Sequence, residues 1–225
     1  MVASTIEVEE KPKLDKKKLT GDILYSAVKG LGGLALKAFT NLQVEGAENI
    51  PLRGKAILVT ISKNAIRDML VISQATGRKV HFMLNPKLMK HQVAGPILKQ
   101  LGMFRSTISK DDTEPIDKVF EILNETGDLV AMTPEAKYDR EVQIKSIAGI
   151  IKFAIAADSP IIPLAVFSNK TKLFNMFPVE GLKVKIGTPL RVEKKLNRER
   201  YRAQRYQLAE DIHKMMEALR NPIEG

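Results

Sequence analysis

The sequence contains no cysteine and no tryptophan, and aromatic residues make up only 5% of its 225 residues. Without cysteine the chain has no disulfides, thiolate nucleophiles or thiolate metal sites, and this composition fits a reducing compartment. With few aromatic rings it offers little surface on which the bases of single-stranded nucleic acid could stack. The chemistry is therefore restricted to side chains other than thiols, and a single-strand binder is disfavoured.

Histidine is scarce, and the N-terminus lacks an apolar run. The three histidines, His81, His91 and His213, follow no zinc-binding spacing, so we expect no metal site. Residues 7–18 mix acidic and basic side chains with no apolar core behind them, which is not the pattern of a signal peptide. Secretion is therefore not expected.

Positive charge is abundant. The formal net charge is +10 at pH 7 and the sequence pI is about 9.6. Such a chain attracts polyanions, namely nucleic acid, anionic lipid or phosphorylated small molecules. Because aromatic rings are few, the charge favours an anionic membrane surface or a small phosphorylated substrate, and no nucleic-acid partner is expected. The length and the 44% of hydrophobic residues suit a single packed domain.

The pattern of charged and apolar residues divides the chain into three regions. Residues 1–19 are charged and aperiodic, which predicts a flexible tail, either solvated or touching anionic headgroups. Residues 20–40 are apolar but interrupted by lysines and glycines, so they suit an amphipathic helix in the membrane interface better than a spanning helix. A helix packed on the domain is the alternative. Residues 41–225 are predicted to form an α/β domain.

Within that domain, short apolar runs alternate with segments of helical spacing. Strands are predicted at 42–45, 56–61, 79–84, 129–132, 161–167 and 182–186, with a strand or loop at 103–109. Helices are predicted around 69–72, 96–101, 116–124, 147–157 and 198–219. This alternation predicts a mostly parallel sheet with helices on both faces. The polar residues 62–68 directly follow a buried strand, where open α/β sheets place their sites.

Four short motifs occur in order along the chain. They are V-E-G-A-E-N-I-P at 44–51, K-N-A-I-R-D at 63–68, T-P-E-A-K at 133–137 and S-P-I-I-P-L-A at 159–165. Their order and spacing resemble the glycerolipid acyltransferase family, which includes the 1-acyl-sn-glycerol-3-phosphate acyltransferases, over about residues 24–219. The resemblance implies the family's α/β fold. The family's H-x-x-x-x-D motif has become Lys63 to Asp68, with lysine in place of histidine.

The resemblance also implies an activity and a set of site residues. The activity is acyl transfer from acyl-CoA or acyl carrier protein to the hydroxyl of lysophosphatidate or a similar lysophospholipid, peripherally at the cytoplasmic face of a membrane, with no cofactor beyond the donor. Lys63 and Asp68 occupy the catalytic positions. The implied substrate-binding residues are Arg105, Glu135, Lys137 and Lys145. At the position of the family's phosphate-binding arginine this chain has Ile108. Arg105 lies near that position but out of register.

The exchange of histidine for lysine leaves the mechanism open. An alcohol attacks a thioester efficiently only when a base removes its proton. A lysine side chain has a reference pKa of about 10.4; burial lowers that value, whereas a neighbouring carboxylate raises it. One hypothesis is an active enzyme with Lys63 or a substrate phosphate as base. A second is an inactive homologue that binds acyl chains or phospholipid as a regulatory or carrier protein. A third, indicated only by the pI and the arginine-rich C-terminal helix, is a nucleic-acid binder.

Simpler structural roles also remain open for individual residues. Lys63 and Asp68 could form only a surface ion pair at a helix start. Glu135 could stabilise a helix N-terminus through the dipole. His81, within an apolar strand, fits a hydrogen-bonded core histidine better than a replacement base.

Overall fold

The computed structural model describes residues 16–109, 111–173 and 177–221. Within them the strands are β1 (Gln43–Glu45), β2 (Ala56–Val59), β3 (Val80–Leu84), β4 (Phe104–Arg105), β5 (Leu129–Met132), β6 (Ile161–Leu173) and β7 (Phe177–Ile186). The α-helices are α1 (Lys16–Phe39), α2 (Ala65–Gln74), α3 (Pro86–Met89), α4 (Ala94–Gln100), α5 (Glu114–Phe120), α6 (Arg140–Ala156) and α7 (Arg202–Arg220).

The strands form one seven-stranded sheet in the order β1-β7-β6-β2-β5-β3-β4. Neighbouring strands pair in parallel except β6 and β7, which form an antiparallel hairpin. The parallel strands β2 to β6 are joined through helices, as parallel connections require. The predicted mostly parallel sheet is confirmed, and the carboxyl ends of β2, β3, β4 and β5 lie along one edge.

The central strand β2 is buried on both faces. Ala56 and Leu58 pack in a core with residues of α1, α2 and α4, whereas Ile57 and Val59 pack in a second core with residues of α5, α6 and α7. Side chains of a strand alternate between the two faces, so a continuous apolar run is expected only where both faces are covered. The helices therefore lie on both sides of the sheet, as predicted.

One face of α1 packs on the domain. Tyr25 is buried there, and its hydroxyl accepts a hydrogen bond from the Val80 N–H at 3.0 Å. Leu24 and Val28 pack beside it against the same core. The helix begins at Lys16 rather than at residue 20.

The opposite face of α1 is apolar and exposed. Leu19, Ile23, Leu31 and Leu34 are 46%, 62%, 70% and 68% exposed. Residues 1–15 of the predicted tail lie outside the described residues. Among the described helices, none is long and apolar enough to cross a membrane.

Two helices differ from their predicted bounds. α6 begins at Arg140 rather than at 147, because its first two turns are largely polar and exposed and show little apolar periodicity. The helix predicted at 116–124 is α5 followed by a π-helical segment, Glu121–Thr126. This segment ends at Gly127, whose φ of 66° lies in the left-handed region that favours glycine.

The C-terminal helix differs in two details from what its residue pattern predicts. The apolar spacing of Leu208, Ile212, Met215 and Leu219 predicts an inward Met215, but Met215 is 40% exposed and Met216 is buried. Successive helical residues point about 100° apart, so an error of one position exchanges core and solvent. The arginines of this polar helix are expected on its solvated face, but Arg205 is 3% exposed and donates to the Leu196 carbonyl at 2.7 Å.

Candidate functional site

The loop after β2 places Asp68 in the first turn of α2. Asn64 caps this helix, because its side-chain oxygen accepts the Arg67 N–H at 3.1 Å. Asp68 is only 1% exposed. Its carboxylate lies near the helix N-terminus, where the dipole favours negative charge. The polar stretch is thus a capped strand-to-helix junction that holds one buried carboxylate.

The Asp68 carboxylate is engaged by two neighbours. Ser62 donates its hydroxyl to Oδ2 at 2.8 Å, and Arg67 donates from Nε to Oδ1 at 2.9 Å. A second guanidinium nitrogen of Arg67 lies 2.8 Å from the same Oδ1. These bonds compensate the cost of burying the charge. The partners of Asp68 are therefore Ser62 and Arg67.

Lys63 points elsewhere. It is exposed and forms no ion pair with any carboxylate in the part of the chain that the structure describes. It lines a cavity of about 220 Å³ beside α7, together with His213 and Arg220. Glu135 lines a different cavity. Lys63 therefore does not pair with Asp68, and it lines a cavity that does not include Glu135.

Glu135 is held next to this junction by the backbone. The N–H of Ser62 donates to the Pro134 carbonyl at 2.9 Å, and the N–H of Ala136 donates to the Ser62 carbonyl at 2.7 Å. This pairing continues the β2–β5 ladder beyond both strands. The loops that carry Asp68 and Glu135 therefore meet at the carboxyl edge of the sheet.

The Glu135 carboxylate has two donors of its own. Asn85, after β3, donates from Nδ2 to Oε1 at 2.6 Å, and the Lys137 ammonium lies 2.5 Å from Oε2. Partial burial raises the pKa of Glu135, but the bonds from Lys137 and Asn85 outweigh it and the pKa lies below its ordinary value. Conversely, the bond to Glu135 raises the pKa of Lys137, which is exposed. Glu135 is thus an ionised acceptor at neutral pH.

A cavity of about 460 Å³ opens beside Glu135. Its walls come from the ends of β3 and β5, the residues after β4, and α6. The apolar part of the lining includes Ala65, Met83, Met132, Pro134, Ile150 and Phe153. A cavity of this kind can accommodate an apolar group next to a charged one.

Arg105 and Lys145 are not brought to Glu135. The guanidinium of Arg105 pairs with both oxygens of Asp112 and lies 2.6 Å from Glu114, so its charge is neutralised within the protein. These contacts raise the pKa of Arg105. Lys145 is exposed on α6. Neither residue lines the Glu135 cavity.

His81 lies away from this edge, in the interior of β3. Its Nδ1–H donates to the Gly102 carbonyl at 2.8 Å. Burial lowers its pKa despite that bond. This is the geometry of a core histidine.

Comparison with known proteins identifies the family of the chain. The acyltransferase family model matches residues 41–167, which include the Asp68 and Glu135 motifs. The chain belongs to the acyltransferase family. The resemblance noted in the sequence is thereby confirmed.

The acyltransferase fold is also seen in a solved structure. This chain is similar to the 1-acyl-sn-glycerophosphate acyltransferase PlsC from Thermotoga maritima, with a TM-score of 0.62. The sequences are 16% identical, and the match covers 95% of this chain and 86% of PlsC. A likeness at this identity establishes the fold. No curated protein sequence matches the chain significantly.

Three residues that bind Asp68 or Glu135 were not identified from sequence. Ser62 directly precedes the motif at 63–68, and Arg67 lies within it. Only the folded structure shows that both bind Asp68. Asn85 precedes Pro86, a pair that signals a turn or helix start. That signal indicates the local bend but not the bond from Asn85 to Glu135, which lies 50 residues away.

Proposed function

We propose that this chain transfers a fatty acyl group from acyl-CoA or acyl carrier protein to the hydroxyl of lysophosphatidate or a similar lysophospholipid. The observation that carries the proposal is the meeting of the Asp68 and Glu135 loops at one sheet edge, beside a cavity of about 460 Å³. Membership of the acyltransferase family and the PlsC-like fold support it.

The reaction sets the requirements for the site. The acceptor oxygen attacks the thioester carbonyl carbon, the carbon–sulfur bond breaks, and the thiolate takes the proton that the hydroxyl loses. Asp68 and Glu135 both accept strong hydrogen bonds within the protein, and Lys63 lies in a separate cavity, so the proton goes to a substrate phosphate. A phosphate monoester, whose second pKa is about 6, suits a base at neutral pH. Glu135 and Lys137 contact the acceptor, with Arg105 and Lys145 at the periphery.

A labelled-acyl assay tests this function. Purified protein is incubated with labelled acyl-CoA and lysophosphatidate over a range of acyl lengths, and product is counted beside Glu135→Gln and the exposed control Glu141→Gln. We expect transfer by the wild type and the control, and a loss of about tenfold or more in Glu135→Gln. No transfer above blank at any acyl length, with either acyl carrier, would refute it.

A second candidate is an inactive homologue that binds acyl chains or phospholipid as a regulatory or carrier protein. It is favoured by one observation, the engagement of Asp68 by Ser62 and Arg67 while Lys63 points away. Equilibrium binding of labelled lysophosphatidate separates the two candidates. Retention of the lipid without transfer supports the inactive homologue, whereas absence of both rejects it.

We further propose that the protein lies peripherally on the anionic, cytoplasmic face of a membrane. The exposed apolar residues of α1 recur at helical spacing on the face opposite its packed side. Burying one leucine contributes about 1.5–3 kcal/mol. We therefore expect Leu31→Glu/Leu34→Glu to lower flotation with anionic vesicles by about tenfold or more, and Leu52→Glu, at an exposed loop leucine, to leave it unchanged. Equal flotation of both variants would contradict a role for α1.

A further inference from the structure

The cavity that contains Lys63 is separate from the Glu135 cavity and is polar. Its volume is about 220 Å³, and it lies between the end of β2, the residues after β5, α6 and α7. The residues that carry its chemistry are Lys63, Gln143, His213, Glu217 and Arg220. No sequence pattern indicated that the C-terminal helix lies beside the motif lysine.

Two cations converge on this cavity without an internal carboxylate partner. Lys63 is exposed, and within residues 16–109, 111–173 and 177–221 neither it nor Arg220 forms an ion pair. Arg220 makes one long bond, from Nη2 to the Ile61 carbonyl at 3.4 Å, and its buried Nε has no partner. Arg105, by contrast, is neutralised by Asp112 and Glu114. Positive charge available to an anion is therefore found beside Lys63.

The wall of the cavity also contains a buried histidine. His213 is 5% exposed, and its Nε2 lies 2.9 Å from Gln143 Oε1. Gln143 donates its own amide to the Tyr138 carbonyl at 2.6 Å, so its oxygen accepts and His213 Nε2–H donates. His213 Nδ1 makes no hydrogen bond, although Glu217 Oε2 lies 3.4 Å away. The buried donor that indicates a ligand or water in the cavity is therefore Arg220 Nε–H, because buried polar atoms are rarely left without a partner in native proteins.

Glu217, the one acidic residue of the lining, lies close to two other basic side chains. Its Oε2 lies 3.4 Å from His213 Nδ1 and 3.8 Å from a guanidinium nitrogen of Arg140. Its charge is thus directed partly towards Arg140. The balance of the lining charges, counting Lys63, Arg220 and Glu217, remains positive.

We propose that this cavity binds a phosphate monoester through Lys63 and Arg220. The inference rests on the proposed function, in which two such groups are present: the headgroup of lysophosphatidate and the 3′-phosphate of coenzyme A. A dianion held by an ammonium and a guanidinium gains charge-assisted hydrogen bonds that an uncharged alcohol does not. Lys63 is then a binding residue for phosphate.

Titration calorimetry of the full chain, without acyl donor, tests the site. The ligands are glycerol 3-phosphate, adenosine 3′,5′-bisphosphate and inorganic phosphate, with glycerol as the uncharged control. We expect Lys63→Ala and Arg220→Ala each to weaken binding about tenfold or more, and Arg220→Lys to retain most of it. The exposed residues Lys152 and Arg53 provide matched controls, and Lys152→Ala and Arg53→Ala should bind as the wild type does. Added salt should weaken all binding.

The outcomes are distinguishable from a failure of acyl transfer. Tighter binding of glycerol 3-phosphate supports the lipid headgroup as occupant, and tighter binding of the bisphosphate supports coenzyme A. Equal affinity of wild type and Lys63→Ala/Arg220→Ala overturns the site, even if transfer is observed. Binding of inorganic phosphate with neither ester overturns it as well, since an adventitious ion only is then the explanation. Specific binding in a protein that transfers no acyl group supports the site and rejects only the enzyme.

Discussion

At the scale of single residues, the partners of Asp68 govern what position 63 can do. A catalytic histidine needs a carboxylate that accepts its second N–H, which fixes the tautomer and stabilises the imidazolium. In this chain the buried carboxylate already accepts from Ser62 and Arg67. Arg67 is adjacent in sequence and only partly exposed, so it is a strong competitor for the same oxygen.

We therefore predict that Lys63→His alone gains little activity, whereas Lys63→His/Arg67→Leu gains much. Removing the guanidinium frees Oδ1 of Asp68 for the new imidazole. General-base catalysis contributes typically about 10²–10⁴-fold, so the double variant should exceed the single one by about tenfold or more. Initial rates of labelled acyl transfer measure the difference.

The matched control for this comparison is Arg67→Leu. It leaves Asp68 buried with the Ser62 bond as its remaining side-chain contact, so we expect a less stable protein with no gain in rate. A large gain from Lys63→His without a change at position 67 would show that Asp68 is free to orient a base.

Asp112 gives a prediction about pH. The hydrogen bonds from Arg105 and from the Ile108 N–H lower the pKa of Asp112 to about 2. Because this value lies below the unfolded value of about 3.9, the pairing stabilises the fold above pH ~4 and is lost as pH falls through ~2. The difference in unfolding midpoint between wild type and Asp112→Asn should be constant above that window and shrink within it. A difference that stays constant through this window would contradict a lowered pKa of Asp112 in the folded protein.

At the scale of elements, the ladder between β2 and β5 is what joins the two motifs. Their strands pair from Ala56 with Leu129 to Val59 with Met132, and the bridge between Ser62 and Glu135 continues that register. The loops are therefore held in place by their backbone pairing with each other, which continues from two buried strands. α6 closes the cavity from one side, and its residue Gly149 lies in the lining.

We predict that Gly149→Leu blocks the Glu135 cavity while preserving the fold. A Cβ at position 149 would meet no heavy atom within 4 Å, so a side chain there projects into open space. Replacing glycine in a helix interior by alanine is also stabilising, by about 0.5–1 kcal/mol. We expect Gly149→Ala to be at least as stable as wild type. We expect Gly149→Leu to prefer donors with shorter acyl chains.

Acyl-length profiles of the two Gly149 variants, measured beside their thermal unfolding midpoints, check this expectation. An unchanged length profile in a folded Gly149→Leu protein would show that the acyl chain lies elsewhere.

At the scale of the whole molecule, α6 and α7 are tied to the motif edge through one buried polar connection. Gln143 of α6 links His213 of α7 to the Tyr138 carbonyl in the loop after Glu135. Around it, Ile212 and Met216 pack in the core beneath α6. The C-terminal helix is thereby placed against residues that lie 70 or more positions earlier in the chain.

We predict that Gln143→Leu destabilises the protein by about 1–3 kcal/mol, because the His213 N–H and the Tyr138 carbonyl lose their buried partner. Urea unfolding at neutral pH measures the change. Gln207→Leu removes an exposed hydrogen bond from Gln207 to Asp211 within α7. It should change the unfolding free energy far less. Equal effects of the two substitutions would contradict the importance of the buried connection.

Much of the fold was predictable because local signals agree. The apolar run of β2, the glycine at 127 and the spacing in α2 each indicate their element through backbone preference or periodicity. The predictions fail where these signals are weak, as in the polar start of α6. They also fail where a shift of one residue exchanges the buried and exposed faces of a helix, as at Met215 and Met216.

The class of fold and the order of the motifs could be inferred from the amino-acid sequence, because they depend on residue identity and short-range spacing. Only the folded structure reveals that Asp68 binds Arg67, that Asn85 binds Glu135 and that Lys63 shares a cavity with His213 and Arg220. The direction of a side chain and its distant neighbours follow from the packing of the whole sheet and its helices. No local pattern contains that information.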